Sequence, residues 1–248
     1  MKELQSIINQ YIEKGLYPGA EWKIMHKEKV FQDKAGCLNL LTGKPLLSNS
    51  LYRIWSMTKP IVSVVILQLI EEHKIHLDDA ITDYLPQFSN LKVLKYNNSD
   101  ISNVVDIKNM PTIKDLLSHT AGFSYNFLGD AVAKEYDRVG LFHSSDTTLE
   151  EEINLLSTIP LLHQPSTKWV YSVSVDVLAR IIEIVTEESL QTQLEKRIFK
   201  PLGMQDTGFS VTPENLHRLM TSYEYDPLYK KLNEPSSSPQ QIGEYGHP

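Results

Sequence analysis

Apolar residues recur at helical spacing at the start of the chain. Leu4, Ile7, Ile8, Tyr11 and Ile12, with Lys2, Glu3 and Glu13 between them, predict an amphipathic surface helix over residues 1–12. Pro18 and Gly19 break it. Strict alternation follows: Ala20, Trp22 and Ile24 against Glu21 and Lys23 predict a half-buried β-hairpin, 20–26 and 30–36, around Lys27-Glu28-Lys29. Residues 59–75 read as one long helix, and the nearly continuous apolar run 61–70 predicts burial on most of its sides. Residues 87–110 are polar and Asn-rich, and read as irregular. Thr112 with Asp115, and Thr148 with Glu151, have capping-box spacing and predict helices over 113–118 and from 148 to before Pro160. Two more helices are predicted over 178–186 and 190–199, the second stopped by Pro201 and Gly203. From Asn233 the chain turns to Pro, Ser, Gln and Gly, the composition of a loop or disordered tail over 233–248. With one convincing hairpin the sheet is incomplete, because two strands are marginal without further support.

Composition narrows the function classes. The 248 residues, 41 % apolar and 22 % charged, suit one large globular domain, taken here as 1–232 with the hairpin at 20–36 and a mostly helical region at 56–209. A net charge of -7 provides no basic face for nucleic acid. The longest uncharged apolar run, 60–70, is too short to span a bilayer, and no targeting segment is visible, so a cytoplasmic location is expected. Cys37 is the sole cysteine, which excludes an internal disulfide and reads as a small hydrophobe. His73 and His76 sit three apart at a helix end without a third ligand, so no metal and no cofactor are expected.

The candidate chemistry lies in Arg53-Ile-Trp-Ser-Met-Thr-Lys-Pro60. Three-residue spacing on a helix puts Ser56 and Lys59 on one face, with Cβ atoms roughly 5–6 Å apart. Pro60 is tolerated only in a first turn, so the helix must begin near Ser56. A serine there has a lysine to take its proton and a backbone N–H at the helix start to meet an oxyanion. A free lysine, with a pKa of about 10.4, is a poor base at neutral pH; burial against an apolar helix favours the neutral amine. Ser-x-x-Lys alone is a weak signal. A second copy, Ser89-Asn-Leu-Lys92, lies in a polar loop and is read as chance. Spacing alone favours a helix-capping serine with Lys59 as surface charge.

Residues 51–60 resemble the nucleophile motif of class C β-lactamases, DD-peptidases and the β-lactamase-like (family VIII) esterases. Three further segments match in order: Leu116-Leu-Ser-His-Thr-Ala-Gly-Phe-Ser-Tyr125, Tyr171-Ser-Val-Ser-Val-Asp-Val-Leu178 and Pro201-Leu-Gly-Met-Gln-Asp-Thr-Gly-Phe209. The similarity spans roughly residues 4 to 225, and four collinear segments are far more specific than one. The resemblance implies an α+β, β-lactamase-like fold: an antiparallel sheet with packed helices and a mainly helical lobe. It implies Ser56 as nucleophile, Lys59 as its proton acceptor, and Tyr171 as the residue that shares the base role and protonates the leaving group. A phenol beside an ammonium is easier to ionise, which suits that shuttle. Tyr125, after the His-Thr-Ala-Gly motif, is a candidate for the cleft lining, and His119 is read as a structural histidine.

Two departures shape the expectation. The β-lactamase and DD-peptidase branches usually carry Asn two residues after the tyrosine, where this chain has Val173; the esterase branch is the one that reads Tyr-Ser-x. The family's third motif, a Lys/His-x-Gly or Trp-x-Gly element on a sheet-edge strand, is not found before Pro248, and His247-Pro248 does not replace it. The chain is therefore expected to be truncated before that motif. The reading is a serine hydrolase forming an acyl-enzyme with a small-molecule ester, with self-association left open. A non-catalytic family member or fragment, and a β-lactamase or DD-peptidase, stand as alternatives.

Overall fold

Eight consecutive antiparallel pairs, from Gly19↔Gly36 to His26↔Lys29, join β1 (Gly19–His26) to β2 (Lys29–Asn39) after the helix α1 (Lys2–Glu13). The hairpin closes on Lys27 and Glu28, with Lys27 in the left-handed region at φ 55°. β3 (Lys44–Pro45) extends the sheet on the far side of β2, in the order β1-β2-β3. Trp22 in β1 donates its indole N–H to Gln5 of α1 at 2.7 Å. The computed structural model describes residues 2–143 and 147–234, in two compact units. These elements belong to the first, which runs to Ile54 and resumes at Val211 with a short hairpin of Glu224–Asp226 against Lys231–Asn233.

The second unit, Trp55–Ser210, is mostly helical. It contains α2 (Thr58–Glu71), a short pair β4 (Lys92–Leu94) and β5 (Val104–Asp106), then α3 (Ile113–Leu117), α4 (Ala131–Val139), α5 (Leu149–Leu156), α6 (Ser174–Thr186) and α7 (Leu190–Leu194). α6 is the axis of this unit. It packs against α2, α3, α5 and α7, and its Ser174–Ala179, Ile181 and Ile182 are all buried. α2 contributes Val62, Val65, Ile66 and Leu69 to the same core. Each such side chain contributes about 1.5–3 kcal/mol by leaving water.

Both capping boxes form: Thr112 Oγ1 accepts from the Asp115 N–H at 3.2 Å, and Thr148 Oγ1 from that of Glu151 at 3.2 Å. Other expectations need correction. α2 stops at Glu71 rather than 75, and its apolar run is buried or half-buried except on the one face that carries Val64 and Leu67, 43 % and 49 % exposed. The stretch 87–110 is not wholly irregular, because β4 and β5 pair through three residues. Their apolar content, Val93-Leu94 and Val104-Val105, is too brief to show a period. α4 was not anticipated, although Asp130 caps it by accepting from the Ala133 N–H at 2.8 Å. α6 begins at Ser174 rather than 178. The tail expected over 233–248 lies, from 235 on, outside the described residues. Among the described residues no helix is long and apolar enough to cross a membrane.

Candidate active site

Ser56 lies in a 3₁₀ turn, Trp55–Met57, that runs into α2 through the helical backbone of Met57 (φ -66°, ψ -13°). Trp55 before it has φ 46°, in the left-handed region that bulky residues rarely occupy. Such strain persists only where surrounding structure enforces it, and here it sets the entry to the serine. Ser56 is exposed, while Lys59, in the first turn of α2, is buried. Because Ser56 sits in the tighter turn, the α-helical spacing argument does not describe its relation to Lys59.

The hydrogen bond to Ser56 comes from Tyr171, whose O–H donates to Oγ at 2.7 Å. Lys59 Nζ lies 5.1 Å from the ring centre of Tyr125 and 5.3 Å from that of Tyr171, within cation–π range, and 3.5 Å from the Tyr125 hydroxyl. The two rings stack in parallel, 5.5 Å apart and inclined by 8°. The structure thus brings Ser56, Lys59, Tyr171 and Tyr125 together. Burial, with smaller contributions from Asp176 and Tyr171, pushes the Tyr125 phenol above its ordinary range, so Tyr125 stays neutral.

Tyr171 is held by backbone lacing. The Ser166 N–H donates to the Thr120 carbonyl at 2.9 Å, Val170 to His119 at 2.9 Å, and Val173 to Ser124 at 3.1 Å. The loop that receives them is built around Asp115. Its carboxylate accepts from the Thr112 N–H, Thr120 Oγ1 at 2.9 Å and Ser166 Oγ at 2.7 Å. Burial alone would raise that carboxyl; these hydrogen bonds, Ser166 foremost, hold it below the usual range. Gly122 has φ 95°, and a Cβ there would lie 2.2 Å from the His163 carbonyl oxygen. Only glycine fits.

His119 also lies against Tyr171, ring centres 5.0 Å apart. Its Nδ1 accepts from the Ser172 N–H at 3.2 Å, which places the proton of the neutral ring on Nε2. Burial, then the Lys59 charge, lowers its pKa below the ordinary histidine value. These contacts are those of a structural histidine. Val173, at the position of the family's Asn, is buried and caps α6.

Asp176 went unremarked in the sequence although it interrupts an apolar run. It is buried, and its Oδ2 has no hydrogen-bond partner. Burial, with Glu152 adding and Lys59 opposing, pushes its pKa up to about 7.

The family model described as beta-lactamase matches residues 4–241. The chain belongs to the beta-lactamase family. As a member it is 32 % identical over 193 residues to Esterase EstB of Burkholderia gladioli, covering 76 % of this chain and 46 % of EstB. It is 34 % identical over 203 residues to the lovastatin esterase of Penicillium rubens, covering 80 % and 50 %. The chain thus spans about half the length of the curated relatives it matches. Among solved structures, EstCE1, a hydrolase with promiscuous acyltransferase activity, superposes with a TM-score of 0.80 at 28 % identity, over 94 % of this chain and 58 % of that one. The simvastatin synthase LovD of Aspergillus terreus, in a mutant form, reaches the same TM-score at 23 % identity over 98 % and 60 %, which speaks for the fold alone. The α+β, β-lactamase-like architecture expected from the sequence is the one found.

Proposed function

We propose that this chain is a serine hydrolase acting on small carboxylic esters through an acyl-enzyme on Ser56. The observation that carries the reading is the 2.7 Å hydrogen bond between Tyr171 and Ser56 beside a buried lysine. As a phenolate, Tyr171 takes the Ser56 proton while Oγ attacks the ester carbonyl, with the Lys59 side chain over its ring. The tetrahedral intermediate collapses as Tyr171 returns that proton to the departing alkoxide. Water then attacks the acyl-enzyme, gives its proton to Tyr171, and releases the acid; the proton ends on Ser56. An alcohol in place of water would transfer the acyl group. Ester rather than amide substrates are favoured by Val173, which leaves no amide-contacting side chain at that position, and by the esterases among the relatives.

The test is the intact mass of the purified chain after a fluorophosphonate probe, with Ser56→Ala alongside. One adduct on the native chain and none on the variant is the expected result. No adduct on a demonstrably folded chain would instead assign it to a non-catalytic branch of the family.

A further inference from the structure

Phe127 is an exposed ring attached to the site. It lies in the 3₁₀ turn Asn126–Leu128, which buries none of its residues, and it is 66 % open to solvent. A single exposed apolar side chain needs no explanation; this one is set apart by its neighbours. Its ring stacks on that of Tyr125 at 4.7 Å, inclined by 28°, and lies 6.3 Å from the ring of Tyr171, which is itself 5.5 Å from that of Tyr125. The turn is held at both ends. The Leu128 N–H donates to the Tyr125 carbonyl at 3.0 Å, and Ser124 Oγ donates to the Asp130 carboxylate at 2.5 Å. One part of the ring therefore rests on the two tyrosines while the rest faces solvent.

Tyr171, bonded to Ser56, returns its proton to the departing alkoxide, so the alcohol oxygen of a substrate must come within about 2.6–3.2 Å of the Tyr171 hydroxyl. The alcohol arm therefore begins beside the tyrosine that Phe127 packs near, whereas the acyl arm stays bonded to Ser56. Aromatic rings prefer offset or edge contacts with centres about 4.5–7 Å apart. Phe127, Tyr125 and Tyr171 already keep that spacing among themselves, and a further ring can join them on the open side of Phe127. Resting on the Ser56 reading, we propose that the site takes esters whose alcohol carries an aromatic ring, and that Phe127 selects them by stacking on that ring.

The experiment compares benzyl acetate with cyclohexylmethyl acetate, which share a carbon skeleton and differ in whether the ring is flat and aromatic. Both leave the same acetyl group on Ser56, so a difference between them belongs to binding and acylation. The readout is the concentration of each ester that halves the rate of fluorophosphonate labelling of Ser56, in the native chain, Phe127→Leu and Phe127→Trp. Benzyl acetate is expected to compete about 2–12-fold better on the native chain. Phe127→Trp should keep that preference. Phe127→Leu, which stays apolar but loses the ring, should bring the ratio close to one, with Phe127→Met in its place should it not fold. Methyl phenylacetate against methyl cyclohexylacetate, which carry the ring on the acyl arm, should give a ratio near one throughout. The proposal is overturned by a native ratio near one for the benzyl pair, by failure of both acetates to compete, by a ratio that Phe127→Leu leaves unchanged, or by an equal preference on the acyl arm. In each of these cases the native chain still takes the probe and the Ser56 reading stands; a native chain that takes no probe removes that reading and the proposal with it.

Discussion

The hairpin and the helical unit are held by different means. β1 and β2 keep register through eight pairs, yet Leu38 is the one fully buried residue in the two strands, and α1 buries none. α2 and α6 share a core in which Val62, Val65, Ile66, Leu178, Ile181 and Ile182 are wholly removed from water. The first region is ordered by its backbone ladder, the second by side-chain packing. Chemistry on a scale of tenths of an ångström needs the second kind of order, and Ser56, Lys59 and Tyr171 all lie on or beside packed helices.

That contrast can be broken at several points. The largest effect belongs to Gly122→Ala, because its new methyl would overlap the His163 carbonyl at a left-handed backbone position. A loss above about 4 kcal/mol is expected, seen as an unfolded chain by circular dichroism. Ile182→Ala should remove about 2–5 kcal/mol in urea unfolding, with the midpoint moving and the slope unchanged. Asp115→Ala takes the charged acceptor away from half-buried Thr112 and Thr120 and from exposed Ser166, at a cost of about 1.5–3 kcal/mol. Since the Asp115 pKa is depressed in the folded chain, its contribution is present above the ordinary carboxylate range and disappears as pH falls through the folded value. The variant should therefore show a shallower acid limb of stability. Tyr171→Phe sharpens the division between holding and acting. Labelling of Ser56 should fall about 10²–10⁴-fold, while the melting temperature stays close to that of the native chain. At the small end, Met25→Ser on the exposed face of β1 should change stability by no more than about 0.5 kcal/mol. A loss of several kcal/mol there would mean that the hairpin depends on packing after all.

The same contrast explains what could be read from the sequence. Capping boxes are local bonds between a side chain and the backbone three residues on, so Thr112 and Thr148 announced α3 and α5. Period-two alternation announced β1. β4 and β5 carry too few apolar residues to alternate, and Asp130 before Val132, Ala133 and Tyr136 was a cap signal for α4 that passed unread. The contact between Ser56 and Tyr171 joins residues 115 apart; no spacing rule reaches that far, and family resemblance alone put the two side by side. The left-handed backbone of Trp55 leaves no mark in residue type. Asp176 had a signal, a lone acid inside an apolar helix, but helix periodicity weighs apolar positions and passes over the exception.

The row of rings around Tyr171 has an optical consequence. Trp169 stands edge-on to His119 at 6.4 Å, and His119 lies against Tyr171. An imidazolium quenches a neighbouring indole far more strongly than a neutral imidazole does. The chain's indoles are Trp22, Trp55 and Trp169, and among the described residues only the last pairs with a histidine ring. Its emission should dim below the ordinary histidine range as His119 gains its proton, so the molecule carries a native fluorophore that reads the charge one ring away from the phenol bonded to Ser56.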